Sequence, residues 1–480
     1  MAKRALTPKE NKMKRRGFIG AIGAGVVACR AGAVKAKPNL VFIIADDCTH
    51  RDIGCYGGQA HTPNIDRLAT EGMRFTHCFQ AAPMCSPTRH NIYTGQYPVK
   101  TGAYPNHTFA KAGTKSVVHY LKPLGYRVAQ SGKTHIGPAE VFPFEKVPGG
   151  SNPEFDKVDA FFADCKAKAD PFCIFLCSNE PHSPWNKGDA SRYDADKLTL
   201  PPYFVDTPET REAMTRYLAE ITYYDGQVGD ALALLEKHGL SNNTLVVVVS
   251  EQGSSFPFGK WTCYDTGLQS AFIARWPGRI EPGTVNDALI EYVDVLPTFV
   301  EAAGGTPDPV LDGKSLLPAF AGKQEHKKYV FGEMTTNGII NGSKHFGIRS
   351  VRSKRFKYIW NFTPEIEFSN ACTKSPEFQS WETKAAAGDA DAADKVCRYK
   401  NRPAEELYDI SKDPTEWNNL ADNPEYASVK AELKAELQAW MKRCGDQGQQ
   451  TELEAPRHLA KNSEAEKGET KKKGGKKKKK

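Results

Sequence analysis

The chain has 480 residues with 40% hydrophobic and 25% charged side chains, an ordinary globular composition that excludes disorder throughout. That length exceeds one ordinary core, so a large domain and a smaller one are expected. The formal charge of +8 misleads: eight lysines lie in 471–480, and residues 1–30 hold eight basic residues against one acidic, leaving 31–470 at −7. Nucleic acid is therefore excluded as a partner of the folded part, because phosphate binding needs a basic face on the domain itself.

Residues 1–36 read as an export signal, with the twin-arginine pattern Lys14-Arg15-Arg16-Gly17-Phe18-Ile19 leading into the small, apolar run Gly20–Ala28. Cleavage is expected after Ala33 or Ala36. In the alternative, Val26-Val27-Ala28-Cys29 is a lipoprotein box that leaves a lipid anchor at Cys29. The run is too short to span a bilayer and no later stretch has eighteen apolar residues in succession, so no transmembrane span is expected. The protein is expected to be exported, periplasmic or extracellular.

Asn39–Ala45 is a continuous apolar run rich in branched residues, as in a strand buried on both faces of a parallel sheet, with Asp46 and Asp47 at its carboxyl end. Thr62 as N-cap, Pro63 at the first helical position, the stripe Ile65, Leu68, Ala69 and the stop at Gly72 predict a helix. The alternation returns at Tyr126–Ser131 before Gly132-Lys133-Thr134-His135, at Phe172–Ser178 before Pro181-His182, and at Leu245–Ser250 before Glu251-Gln252-Gly253. A long helix from Thr207-Pro208 to Gly239 precedes the last of these strands. The fold class is α/β, a large mostly parallel sheet flanked by helices. Such sheets place ligands beyond the carboxyl ends of their strands, so the four polar clusters should converge.

From about residue 326 the strand-like pieces Lys328–Met334, Phe346–Ser353 and Phe356–Phe362 suggest a small antiparallel sheet, followed by a helix from about Glu425. The expected division is 1–36 export signal, 37–325 large domain, 326–450 C-terminal subdomain and 451–480 disordered Lys-rich tail. Twelve cysteines at irregular spacing make no disulfide framework. Cys173 and Cys177, four apart on a strand and so roughly 13 Å apart, cannot share a zinc. Cys372 and Cys397 flank an Ala-rich insert and could pair in an oxidising compartment.

Cys85 follows the strand-like Met73–Ala81 and precedes a short helix, Pro87–Tyr93. A helix start favours negative charge, so it is expected to lower a thiol pKa and offer backbone donors to an oxyanion. Taken alone, such a cysteine is more often structural. A cysteine-phosphatase loop needs five residues between Cys and Arg, and this chain has three. Asp46 and Asp47 form a costly like-charge pair unless a cation neutralises them, and oxygen donors favour calcium or magnesium.

Cys85-Ser86-Pro87-Thr88-Arg89, followed by Thr94-Gly95, resembles the signature of type I sulfatases, in which this cysteine is oxidised to formylglycine. Asp46-Asp47, Thr62-Pro63-Asn64-Ile65-Asp66, Gly132-Lys133-Thr134-His135, Pro181-His182-Ser183-Pro184-Trp185, and Leu407-Tyr408-Asp409 with Asp413-Pro414 agree in order, across roughly residues 38–422. The resemblance implies an alkaline-phosphatase-like fold, one Ca2+ per chain, a formylglycine-generating maturation enzyme as partner, and a sulfated glycan as substrate. Ser254–Gly267 and Arg402–Leu407 look nearest to the heparan N-sulfatase branch, leaving O- and N-sulfate both open. By this carry-over the hydrated aldehyde of residue 85, not Ser86, attacks sulfur, and its second hydroxyl then expels sulfate.

Arg89 would hold the modified residue and the metal-side carboxylates, while Lys133 and Lys260 bind sulfate oxygens. His135 would orient or deprotonate the diol, and His182 would bind sulfate and protonate the leaving oxygen. The metal ligands would be Asp46, Asp47, residue 85, Glu251 and Gln252. The last two stand where the family usually has Asp and then Asn or His; each is a methylene longer but keeps its oxygen, a variation calcium tolerates better than magnesium. Phe256, Phe258, Trp261 and Tyr264 around Lys260 either floor a sugar subsite or pack into the core. Two other readings are a phosphomono- or phosphodiesterase over two zinc ions on a related fold, and a non-catalytic sulfated-glycan-binding protein.

Overall fold

Branched and aromatic runs too apolar for any surface form the centre of the molecule. The computed structural model describes residues 37–459; residues 1–36, expected to be an export signal, with Cys29 among them, and the lysines of 471–480 lie outside these. The strands are β1 Asn39–Ile44, β2 Met73–Phe79, β3 Arg127–Gly132, β4 Glu145–Lys146, β5 Phe172–Cys177, β6 Thr244–Val249, β7 Gln269–Arg275, β8 Thr284–Asn286, β9 Ile290–Glu291, β10 Val330–Thr335, β11 Gly347–Arg352, β12 Phe356–Asn361 and β13 Glu405–Asp409.

The first nine form one sheet in the order β4-β3-β5-β1-β6-β7-β2-β8, with β9 also paired to β2. Strand β1 lies parallel to β5 and β6, and β3 continues the parallel run beyond β5. Both faces are covered. Val41, Ile43 and Ala45 enter a core with the helices Pro63–Glu71, Phe155–Lys168 and Pro208–Lys237, whereas Leu40, Phe42 and Ile44 enter a second core with Cys85–Thr94, Val117–Leu121 and Val295–Ala302. Alternate side chains of one strand thus serve two cores, which is why β1 has no polar face.

Strand β7 is the exception: it runs antiparallel to both β6 and β2. Its sequence, QSAFIAR, is less apolar than that of β6, TLVVVV, although it too is buried throughout.

Strands β10 to β13 form a separate antiparallel sheet. The helix Ala427–Cys444 covers it through Leu433, Leu437, Trp440 and Met441 against Val351, Tyr358 and Leu407. The fold class is therefore the one expected from the strand pattern.

Two expectations are corrected. Residues 449–459 are helical, although a disordered tail was expected from 451. Glu452 in that helix is buried and pairs with Arg349 at 2.8 Å, and Ala455 packs with Val99 and Tyr104. Cys372 and Cys397 are both free; Cys372 is buried 2.9 Å from the Tyr399 hydroxyl and Cys397 is exposed. Burial of one thiol and exposure of the other is what the spacing alone could not reveal. Among the described residues no helix is long and apolar enough to cross a membrane.

Candidate active site

The parallel strands β1, β3, β5 and β6 all end on the same edge of the sheet, and each delivers polar residues there. Asp46 and Asp47 follow β1, Lys133 and His135 follow β3, His182 follows β5, and Glu251 and Gln252 follow β6. Cys85 and Arg89 come from the helix Cys85–Thr94, which starts at Cys85 itself rather than at Pro87. They are one turn apart, so both lie on the same helix face.

Arg89 is fully buried. Its Nε lies 3.0 Å from Glu251 Oε1, and its Nη2 lies 3.3 Å from Glu251 Oε2 and 3.7 Å from Asp46 Oδ2. It also donates to the carbonyl oxygens of Lys133 and Ala45, at 3.3 Å and 3.4 Å. Lys133 Nζ donates to Asp46 Oδ2. Lys260 Nζ donates to Asp47, 2.6 Å from Oδ1 and 2.8 Å from Oδ2, and His182 Nε2 lies 3.6 Å from Asp47 Oδ2. Three carboxylates, those of Asp46, Asp47 and Glu251, thus face the three basic groups of Arg89, Lys133 and Lys260 in a site nearly closed to water. That balance lets the charges stay buried.

Burial pushes the Cys85 thiol up to about 11, against the pull of Lys260. The helix start was expected to lower it; desolvation wins because the side chain is only 2% exposed. A thiolate nucleophile is therefore not what this position offers at neutral pH. Burial also lowers Lys133 to about 8 and His135 to about 2, the latter with help from the Lys133 charge. Asp47 alone would be raised by burial, but Lys260 and His182 overcome this and hold it below the usual carboxylate range. Asp47 raises His182, yet burial together with Lys260 and Lys133 brings it below its ordinary value. His182 Nδ1 is 2.6 Å from the Ser183 carbonyl and must donate to it, so Nε2 faces the site.

Asp46, Asp47, Glu251 and Gln252 offer oxygen donors only, which suits a hard cation. Among the described residues Glu251 Oε1 and Gln252 Oε1 are buried without a hydrogen-bond partner, the former because Arg89 Nε is near but misaligned. Gln252 presents its amide nitrogen to Asp47 Oδ1 at 2.6 Å, and a half-turn of the amide would present Oε1 instead. In the present arrangement the carboxylates meet lysine and arginine, and no group of three or more His, Cys, Asp or Glu among the described residues is disposed around a metal. The donor set fits calcium in its chemistry, and its side chains are shared with Arg89, Lys133 and Lys260.

Backbone strain marks the same place. Nine non-glycine residues among those described have positive φ, and five of them, Asp47, His107, His135, Phe258 and Trp261, belong to the site or flank Lys260. Such conformations cost of order 1–3 kcal/mol each and persist where the surroundings dictate them.

The aromatic loop divides. Phe256 packs with Trp185, Phe204 and Tyr217, and Phe258 with Tyr203, Tyr264 and Tyr399, so both are core. Trp261 is buried in the same cluster and also lines a cavity of about 370 Å³ with Ser183, Trp185, Arg216, Ser255 and Glu377. Asn106 and His107, which carry no sequence motif, enter the site as well: Asn106 Oδ1 is 3.9 Å from Cys85 Sγ and His107 Nδ1 is 2.8 Å from His135 Nε2.

The sequence profile of the Sulfatase family matches residues 38–305, and that of the N-sulphoglucosamine sulphohydrolase C-terminal region matches 253–389. An ulvan-active sulfatase of Formosa agariphila is 37% identical over 428 residues, covering 87% of this chain and 82% of the relative. The N-sulphoglucosamine sulphohydrolase of Homo sapiens is 26% identical, covering 85% and 91%. A solved structure in complex with its substrate D-glucosamine-2-N,6-O-disulfate superposes with TM-score 0.63 at 20% identity, covering 86% of this chain and 99% of that one.

Proposed function

Because the chain belongs to the sulfatase family, we propose that it hydrolyses sulfate esters or N-sulfates of a sulfated glycan through a formylglycine at position 85. The observation that carries this reading is the convergence of Asp46, Asp47, Arg89, Lys133, His182, Glu251 and Lys260 around a cysteine whose thiol is held protonated. A protonated, buried thiol is a poor nucleophile. An aldehyde hydrate at the same place needs no thiolate.

One hydroxyl of the hydrated side chain gives its proton to His182 Nε2 as its oxygen attacks sulfur, and the bond to the glycan oxygen or nitrogen breaks, that atom taking the proton from His182 as it leaves. The second hydroxyl then passes its proton to the freed Nε2, the carbonyl re-forms and sulfate departs, so no water has to attack a crowded anionic sulfur. Lys133 and Lys260 give positive charge to the sulfate oxygens, and burial makes that attraction stronger than in water. Arg89 anchors the helix start against Glu251 and Asp46. His182, its Nδ1 spent on the Ser183 carbonyl, turns Nε2 toward the leaving atom. Asp46, Asp47, Glu251, Gln252 and residue 85 would hold one calcium ion, which when bound supplies a fixed positive charge beside the sulfuryl group.

A sugar ring fits the cavity beyond His182 and Lys260, whose two tryptophans and hydroxyl-bearing serines suit a saccharide face. Polysaccharides do not cross membranes, which agrees with reading 1–36 as an export signal, with or without a lipid anchor at Cys29, and with maturation by a separate formylglycine-generating enzyme. Sulfate release from sulfated oligosaccharides tests the proposal. The wild type, co-expressed with a maturation enzyme, should release sulfate and Cys85→Ala should release none while melting at the same temperature. Turnover by Cys85→Ala equal to wild type would end this reading.

A further inference from the structure

Three hydrogen-bonding contacts run in series from residue 85. Cys85 Sγ lies 3.9 Å from Asn106 Oδ1, Asn106 Nδ2 lies 3.1 Å from His107 Nε2, and His107 Nδ1 lies 2.8 Å from His135 Nε2. The two imidazole rings are 4.7 Å apart between centroids and tilted by 40°. Both histidines have positive φ, at 61° for His107 and 48° for His135, so the backbone is held in an unfavourable conformation that brings the rings together.

The directions of these bonds follow from the placement of the Asn106 amide. Its oxygen accepts from the Cys85 thiol at one end. The amide nitrogen therefore faces His107, and an amide nitrogen only donates. His107 Nε2 must accept, so a neutral His107 ring carries its proton on Nδ1 and gives that bond to His135 Nε2. His135 Nε2 accepts in turn, and its own proton lies on Nδ1. That Nδ1 is buried without a hydrogen-bond partner among the described residues.

We infer that Asn106 and His107 are positioning residues that lock His135 as the Nδ1–H tautomer, leaving that N–H as a free donor for an oxygen entering the site. The chain is not a proton wire, because an amide passes no proton between its oxygen and nitrogen at ordinary pH. His135 in its resting form therefore orients an oxygen by donating to it and does not act as a base. The consequence for turnover rests on the formylglycine reading above; the tautomer does not.

The test is carried out on the full chain, with two readouts. The ring ¹⁵N shifts of uniformly ¹⁵N-histidine-labelled protein, with His135 assigned through His135→Gln, should show Nδ1 protonated and Nε2 not. In His107→Ala that single tautomer should be lost. A wild-type His135 protonated on Nε2, or one unchanged in His107→Ala, overturns the inference whatever the enzyme does.

For turnover, His107→Ala should lower kcat by about tenfold, the worth of one good hydrogen bond, with KM little changed. His107→Asn keeps an amide at the place of Nδ1 and should recover most of kcat, whereas His107→Gln reaches the place of Nε2 and should not. Equal rescue by both, or an effect confined to KM, contradicts a positioning role. If the wild type with formylglycine verified at position 85 releases no sulfate, the proposed function fails while the tautomer measurement still decides this inference.

Discussion

Replacing Arg89 by methionine removes the one cation that touches two of the three buried carboxylates. Methionine fills much of the same volume, so the loss is chiefly of charge and hydrogen bonds: the pair with Glu251 at 3.0 Å, the approach to Asp46 at 3.7 Å, and the donors to the carbonyls of Ala45 and Lys133. Removing one partner of a buried ion pair costs about 3–5 kcal/mol, because the other charge stays buried and unmatched. With the unfolding entropy scaled to a body of this length, roughly 1 °C of melting temperature is lost per kcal/mol, so Arg89→Met should melt about 3–5 °C lower.

Adding Glu251→Gln restores the balance of charges. The double variant should be more stable than Arg89→Met, with a coupling of about 1–3 kcal/mol in the cycle. Burial already raises the Glu251 carboxyl, against Arg89 and Lys133. Without Arg89 its folded pKa lies further above the unfolded one, so the native state binds the extra proton and stability falls as pH rises. The penalty of Arg89→Met should therefore be smaller at pH 5 than at pH 8. Urea titrations of the four proteins at both pH values measure this. A double variant no more stable than the single, together with a penalty independent of pH, would refute the charge argument.

Glu333 is a second buried carboxyl, raised to about 8 by burial against the pull of Arg349. Its folded pKa exceeds its unfolded value, so its stabilising contribution is full below the ordinary glutamate range and is lost as pH rises through about 8. Glu333→Gln, which can keep the bond from the Val99 N–H, should gain stability over wild type above pH 8 and little near pH 5, read by urea unfolding. Calcium should raise the melting temperature of wild type in a chelator-treated sample by the equivalent of about 2.7 kcal/mol at a hundredfold excess over Kd, and Asp47→Asn should abolish that shift; an unresponsive wild type contradicts the metal site. Ending the chain after Gly448 removes Glu452 from Arg349 and should cost about 3 kcal/mol or more, measured by the same titration. Trp261→Ala should raise KM for an oligosaccharide more than it changes kcat.

The elements that position the site were legible because each is extreme in composition. A strand buried on both faces, such as Asn39–Ile44, can only be written in apolar residues, and the Asp46-Asp47 pair after it stands out for that reason. What failed to show was whatever depends on direction or distance. Strand Gln269–Arg275 runs antiparallel to both strands it pairs with, and nothing in its composition marks that direction. The helices Pro376–Ala386 and Ala390–Lys400 looked like an insert, and 449–459 looked like a tail because its polar residues meet buried Arg349 rather than water. Phe256 and Trp261 sit five residues apart in one loop and are both buried, yet Trp261 also borders a cavity. Asn106 and His107 carry no pattern at all; only the fold of the loop after Gly102 brings them to residues 85 and 135. The thiol of Cys85 shows the limit of local rules, since the helix start argued for a low pKa and burial decided otherwise.

The central claim is chemical and lies at one atom. Trypsin should release Phe75–Arg89 from native protein, a peptide holding both Cys85 and Cys78. Mass spectrometry of that peptide should find the thiol-bearing carbon of residue 85 replaced by an aldehyde while Cys78 remains a cysteine. Sulfate release by protein in which residue 85 is wholly unmodified cysteine would contradict the account.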